Sequence, residues 1–135
     1  MSSYSDSVTT LDGRGTETGC CAKIVDAQAV ERVRARLASD ARTGRTVGIF
    51  SALADPTRLR ILDALSAEEL CVCDLAEVCG ISQSGISHQL RLLRDRGLVA
   101  FTREGNRAVY RLADDHVRVL LAVGLEHADE GGELP

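Results

Sequence analysis

At 135 residues the chain has room for one domain. Hydrophobic residues make up 44% of it, but aromatics supply only 3% and tryptophan is absent, so the core is aliphatic and mostly helical. The net charge of −4 rules out a uniformly basic nucleic-acid binder, and no apolar run reaches the ~18 residues that a membrane-spanning helix needs.

Charge is distributed in blocks. Between residues 82 and 111 six arginines (91, 94, 96, 103, 107 and 111) stand against Asp95 and Glu104. Between residues 112 and 135 six carboxylates stand against Arg118 alone. A basic block followed by an acidic one predicts two faces with different partners. A domain this small also buries a modest share of its surface, which favours a homodimer. Residues 1–24 read as a flexible tail that carries Cys20 and Cys21, residues 25–130 as the folded domain and 131–135 as a disordered C-terminus. The polar start has no signal-peptide pattern, so the expected location is cytoplasmic. In a reducing compartment the five cysteines (20, 21, 71, 73 and 79) are free thiols or metal ligands rather than disulfides.

The first helix is predicted from Asp26, with Val30, Val33 and Leu37 at helical spacing. A second is expected over 45–53, and a third begins at Pro56 with Asp55 as its cap. Leu59, Ile61, Leu62 and Leu65 form the buried stripe of that third helix. A short helix, DLAEVC, closes at Gly80, where glycine takes the left-handed conformation. Ser82 then caps a longer helix that ends at Gly97 and buries Ile86, Leu90 and Leu93. Short helix, glycine turn and long helix make a helix-turn-helix.

The polar side of the long helix carries Ser82, Gln83, Ser84, Ser87, His88, Gln89 and Arg91. Such side chains either read base edges in a major groove, with serines and free N–H groups at the helix start holding phosphate, or are simply solvated. The next segment favours DNA. LVAFTRE and NRAVYRLA alternate as two strands around Glu104-Gly105-Asn106, forming a basic β-hairpin directly after the reading helix. This is a wing, with Arg103, Asn106 and Arg107 near its tip as contacts to backbone or minor groove. The predicted fold is mainly α with a small β-hairpin: a homodimeric winged helix-turn-helix.

Two groups carry metal-ligand chemistry. Cys71 and Cys73 lie two apart in a stretch expected to be extended, where alternate residues point to one side. Cys20 and Cys21 could complete a sulfur shell suited to Cd(II) or Pb(II), with Zn(II) also compatible. Burial as small apolar residues is the competing explanation for each cysteine, and the one that fits Cys79. The last helix, DHVRVLLAVGLEHADE, carries Asp114 and His116 at its start and His127 and Glu130 at its end. A rise of ~1.5 Å per residue puts the two histidines roughly 16 Å apart, so one chain cannot close a site with both. Antiparallel packing of this helix against a second copy would form two N₂O₂ sites suited to Zn(II), with Val117, Leu120, Leu121, Val123 and Gly124 as the seam. The alternative is an amphipathic helix with solvated charges.

Over about 27–130 the chain resembles the ArsR/SmtB family of metal-responsive repressors. The resemblance rests on ADPTRLRIL, ELCVCDLAEVCGISQSGISHQLRLLRDRGLV, REGNRAVYRL and the D-x-H…H-x-x-E helix. ELCVCD is similar to the cadmium- and lead-sensing branch, and the last helix to the zinc-sensing branch. The resemblance implies that Cys71 and Cys73 are thiolate ligands joined by tail cysteines, and that Asp114, His116, His127 and Glu130 form an intersubunit site. It further implies a non-enzymatic repressor whose apo dimer holds double-stranded operator DNA and releases it on binding Zn(II), Cd(II) or Pb(II). A thiol redox sensor on the same fold, using Cys71, Cys73 or the Cys20–Cys21 pair, is the alternative.

Overall fold

Capping chemistry sets most of the helix boundaries in the computed structural model, which describes residues 23–131. The chain divides into two units, Met1–Asp40 and Ala41–Pro135. In the first, Asp26 caps α1 (Ala27–Arg36) by accepting from the Ala29 amide at 2.9 Å. No residue of α1 is buried, and Val33 and Leu37 of its apolar stripe are exposed. Of the expected tail (1–24) and C-terminus (131–135), residues 1–22 and 132–135 lie outside the described residues.

The rest of the architecture belongs to the second unit. Helix α2 (Asp40–Leu53) starts five residues before the expected Arg45. Its first turns are polar, carry no apolar periodicity and include the weak helix formers Thr43 and Gly44, so the sequence does not mark them; there the Thr46 hydroxyl donates back to the Arg42 carbonyl at 2.9 Å. Asp55 caps α3 (Pro56–Ala67) by accepting from the Arg58 amide at 3.0 Å, with Pro56 in the first turn as predicted. Ile61, Leu62 and Leu65 are buried.

Part of the stretch expected to be extended follows, and it pairs as a short strand. β1 (Leu70–Cys71) is only two residues long. Directly after it, α4 (Val72–Cys79) ends at Gly80, whose φ of 71° is the predicted left-handed closure. Ser82 caps α5 (Gln83–Asp95) by accepting from the Gly85 amide at 3.0 Å. Ile86, Leu90 and Leu93 seat α5 on the core with Leu75 of α4.

β2 (Val99–Glu104) and β3 (Arg107–Leu112) form the hairpin, paired from Val99↔Leu112 to Glu104↔Arg107. The loop is therefore two residues, Gly105-Asn106, rather than three, because Glu104 still pairs. Gly105 takes φ 66°, as a tight hairpin with glycine first requires. β1 adds to the other edge of β3, through Leu70↔Tyr110 and Cys71↔Val109, giving an antiparallel sheet in the order β1-β3-β2. Asp114 caps α6 (Asp115–Glu130), accepting from the Val117 amide at 3.2 Å. Arg118 Nη1 donates to the Ser66 carbonyl at 2.5 Å and ties α6 to the end of α3.

Candidate DNA interface and metal-ligand half-sites

The apolar side of α5 is consumed by the core, so its opposite side is free by default. Ser84, His88 and Arg91 recur at spacings of four and three and are exposed, with Gln83 and Ser87 beside them. Two of the expected contacts already have partners. Ser82 Oγ is the helix cap and lies 3.3 Å from Ser84 Oγ. Gln89 is half-buried, and its Oε1 accepts from Arg58 Nη1 at 3.3 Å. Arg58 also donates from Nε to the Ala52 carbonyl at 2.8 Å, so it fastens the end of α2 to the reading helix. Arg58 escapes a reading of the sequence, because its contact with Gln89 spans 31 positions and no local pattern marks it.

Arg103, Asn106 and Arg107 are exposed at the wing tip. Behind them Phe101 and Tyr110 stack at 5.2 Å between ring centres, and the Arg94 guanidinium sits 4.9 Å from the Phe101 ring. That cation–π contact links the end of α5 to β2. The wing is thus held against the helix it follows.

The cysteines fall on different elements. Cys71 ends β1 and is buried, whereas Cys73 is in the first turn of α4 and exposed. The two are therefore not on one face of an extended stretch, since the helix begins between them. Both nevertheless line a single cleft of about 200 Å³ with Val72, Asn106, Arg107 and Ala108. The Cys71 thiol donates to Asp74 Oδ2 at 3.5 Å, a partner signalled only by the C-x-x-D spacing. Cys20 and Cys21 lie outside the described residues. Burial pushes the Cys79 thiol above its ordinary range, an effect that nearby Arg60 partly offsets, in keeping with its expected role as a packed side chain.

The other donors sit as two pairs at the ends of α6. His116 Nδ1 is 3.7 Å from Asp114 Oδ1, and His127 Nδ1 is 3.7 Å from Glu130 Oε1. Both histidines are highly exposed, with 95% and 85% of the side chain accessible. Among the described residues no three Cys, His, Asp or Glu side chains converge on one point. Each pair thus brings one imidazole and one carboxylate together. Between the pairs, Val117 and Leu121 face the chain's own core and do not belong to the expected seam. The exposed apolar residues left are Val119, Leu120, Val123 and Leu125.

A helix-turn-helix followed at once by a basic hairpin defines a winged-helix DNA-binding regulator. Residues 55–100 match the model of the bacterial regulatory protein arsR family. The transcriptional repressor SmtB homolog of Synechocystis is 42% identical over 82% of this chain and 84% of its own length. The cadmium resistance transcriptional regulatory protein CadC homolog of Staphylococcus aureus is 42% identical over 61% of this chain and 69% of its own length. Among solved structures, the homodimeric winged helix-turn-helix DNA-binding domain Mb0332 of Mycobacterium bovis superposes with a TM-score of 0.66, at 35% identity, over 71% of this chain and 92% of that one. The chain belongs to the ArsR/SmtB family of winged-helix transcriptional regulators.

Proposed function

We propose that the chain is a metal-responsive transcriptional repressor, whose dimer holds double-stranded operator DNA and releases it when Zn(II), Cd(II) or Pb(II) binds. The observation that carries this reading is the pair of half-sites on α6. Asp114–His116 and His127–Glu130 are separately assembled at opposite ends of one helix. Only a second copy running antiparallel brings complementary halves together.

The donor types fit the ions. Two imidazoles and two carboxylates suit Zn(II), and the Cys71 and Cys73 thiols suit softer ions once further donors join them. A bound ion would supply cross-links between the subunits or within the thiol cleft. The residues themselves do the rest. Gln83, Ser84, Ser87, His88 and Arg91 face the major groove from α5, while Arg103, Asn106 and Arg107 meet the backbone. Ser82 and Gln89 support that helix from within, through the cap and through Arg58. Kinship with an SmtB homolog and a cadmium-resistance regulator supports metal over thiol oxidation as the signal.

Operator affinity measured with and without Zn(II), under reducing conditions, tests the reading. The parent should lose ~5–150-fold in affinity on metal binding, the usual range of allosteric coupling. His116→Ala and His127→Ala should keep apo affinity and lose the zinc response. Unchanged affinity with Zn(II) and Cd(II), together with release by an oxidant, would establish the redox alternative instead.

A further inference from the structure

The cleft that holds the two cysteines also holds the tip of the wing. Pairing of Cys71 with Val109 sets β1 directly against β3, so the start of β3 overhangs the first turn of α4. Arg107 is the cationic residue among those lining this cleft. Its side chain has no ion-pair or hydrogen-bond partner among the described residues. The Asp74 carboxylate, meanwhile, sits against the Cys71 thiol.

Metal–thiolate chemistry creates a demand for positive charge at this place. Two thiolates cancel the charge of a divalent ion, and each further thiolate leaves the complex more negative. Asp74 adds to that excess. A negative complex in a cleft partly shielded from water needs a nearby cation, and Arg107 is placed to supply it.

We propose that Arg107 belongs to the thiolate site as well as to the wing, its guanidinium acting as counter-charge to the loaded Cys71–Cys73 pair and being drawn off DNA by it. The inference rests on the thiolate reading of these cysteines. One guanidinium cannot fully serve a phosphate and a thiolate complex at once. Metal and operator then oppose each other through a shared residue, and the opposition is reciprocal.

The test is Cd(II) affinity of the full chain in the absence of DNA. Under reducing conditions, the sulfur-to-cadmium charge-transfer absorption is followed against a competing chelator. Arg107→Gln should weaken Cd(II) binding about twofold to fivefold, a difference that shrinks as ionic strength rises. Arg107→Lys should recover most of the affinity, and Arg103→Gln, an exposed wing arginine outside the cleft, should match the parent. Equal affinities for Arg107→Gln and the parent, with the absorption band present in both, would overturn the proposal alone. A parent lacking the band altogether would overturn the thiolate reading, and this inference with it.

Discussion

Removing the guanidinium of Arg58 should loosen the reading helix without touching any group that faces DNA. Arg58→Met keeps the aliphatic stem and deletes the donors to the Ala52 carbonyl at 2.8 Å, to Gln89 Oε1 at 3.3 Å and, at the 3.5 Å limit, to the exposed Ser51 carbonyl, which adds little. The first is a short charge-assisted bond to a carbonyl at the end of α2, worth about 1.5–3 kcal/mol. The second is near the distance limit, at about 0.5–1 kcal/mol. Arg58→Met should therefore destabilise by about 2–4 kcal/mol, and Gln89→Ala by about 0.5–1 kcal/mol. A double-mutant cycle should return a coupling of about 0.5–1 kcal/mol between them. Urea unfolding at fixed protein concentration measures all three values, because self-association would make the midpoint concentration-dependent. Gln89→Ala should also weaken binding equally to the operator and to single-base variants of it. If it instead leaves stability unchanged and relaxes preference at one base pair, Gln89 reads a base and does not anchor the helix.

Three further outcomes follow from other parts of the molecule. Cys71→Ser should remove most of the cadmium charge-transfer absorption while leaving the zinc response of the α6 histidines; an undiminished band would exclude Cys71 as a ligand. Arg107→Ala should weaken binding to all DNA sequences alike and lower the slope of log affinity against log salt by about 0.9 for each phosphate that is no longer neutralised, and parallel salt slopes for variant and parent would count against the wing as a phosphate binder. Cys79, whose folded-state pKa lies above its ordinary value of 9.0, contributes stability that is whole below that pH and lost as pH rises through the folded value. Unfolding midpoints should therefore fall more steeply above pH 9.0 for the parent than for Cys79→Ala, and superimposable pH profiles would refute the burial effect.

Features decided by neighbours within a few positions were legible in the sequence. Asp55 and Ser82 each cap the amide three residues on, and Gly80 closes α4, all from local chemistry. The α5 stripe of Ile86, Leu90 and Leu93 was equally plain, since its spacing fixes one face. Features settled by distant partners were hidden. β1 is two residues whose pairing depends on Val109 and Tyr110, and nothing in Leu70-Cys71 alone distinguishes a strand from a loop. The same blindness affected α6. Its apolar residues run almost all the way round, so periodicity could not say that Val117 and Leu121 turn to the core while Val119 and Val123 stay exposed. Gln89 looked like its polar neighbours until Arg58 came to meet it.

β3 connects the two sets of proposed metal donors. Cys71 is bound to one edge of it opposite Val109, and Asp114 lies two residues beyond its last residue, Leu112. The same strand forms half of the wing, paired along its other edge to β2 as far as Glu104↔Arg107. On the proposed reading, a shift at either donor set would reach the wing through backbone hydrogen bonds and covalent chain. As the central strand of the sheet, β3 cannot slip without breaking the pairing on both its edges. On the proposed reading, the thiol cleft and the α6 half-sites are thus two ways of acting on one strand. Their effects on operator affinity should then fall short of additive when both are loaded, since a strand already displaced by one has less left to give to the other.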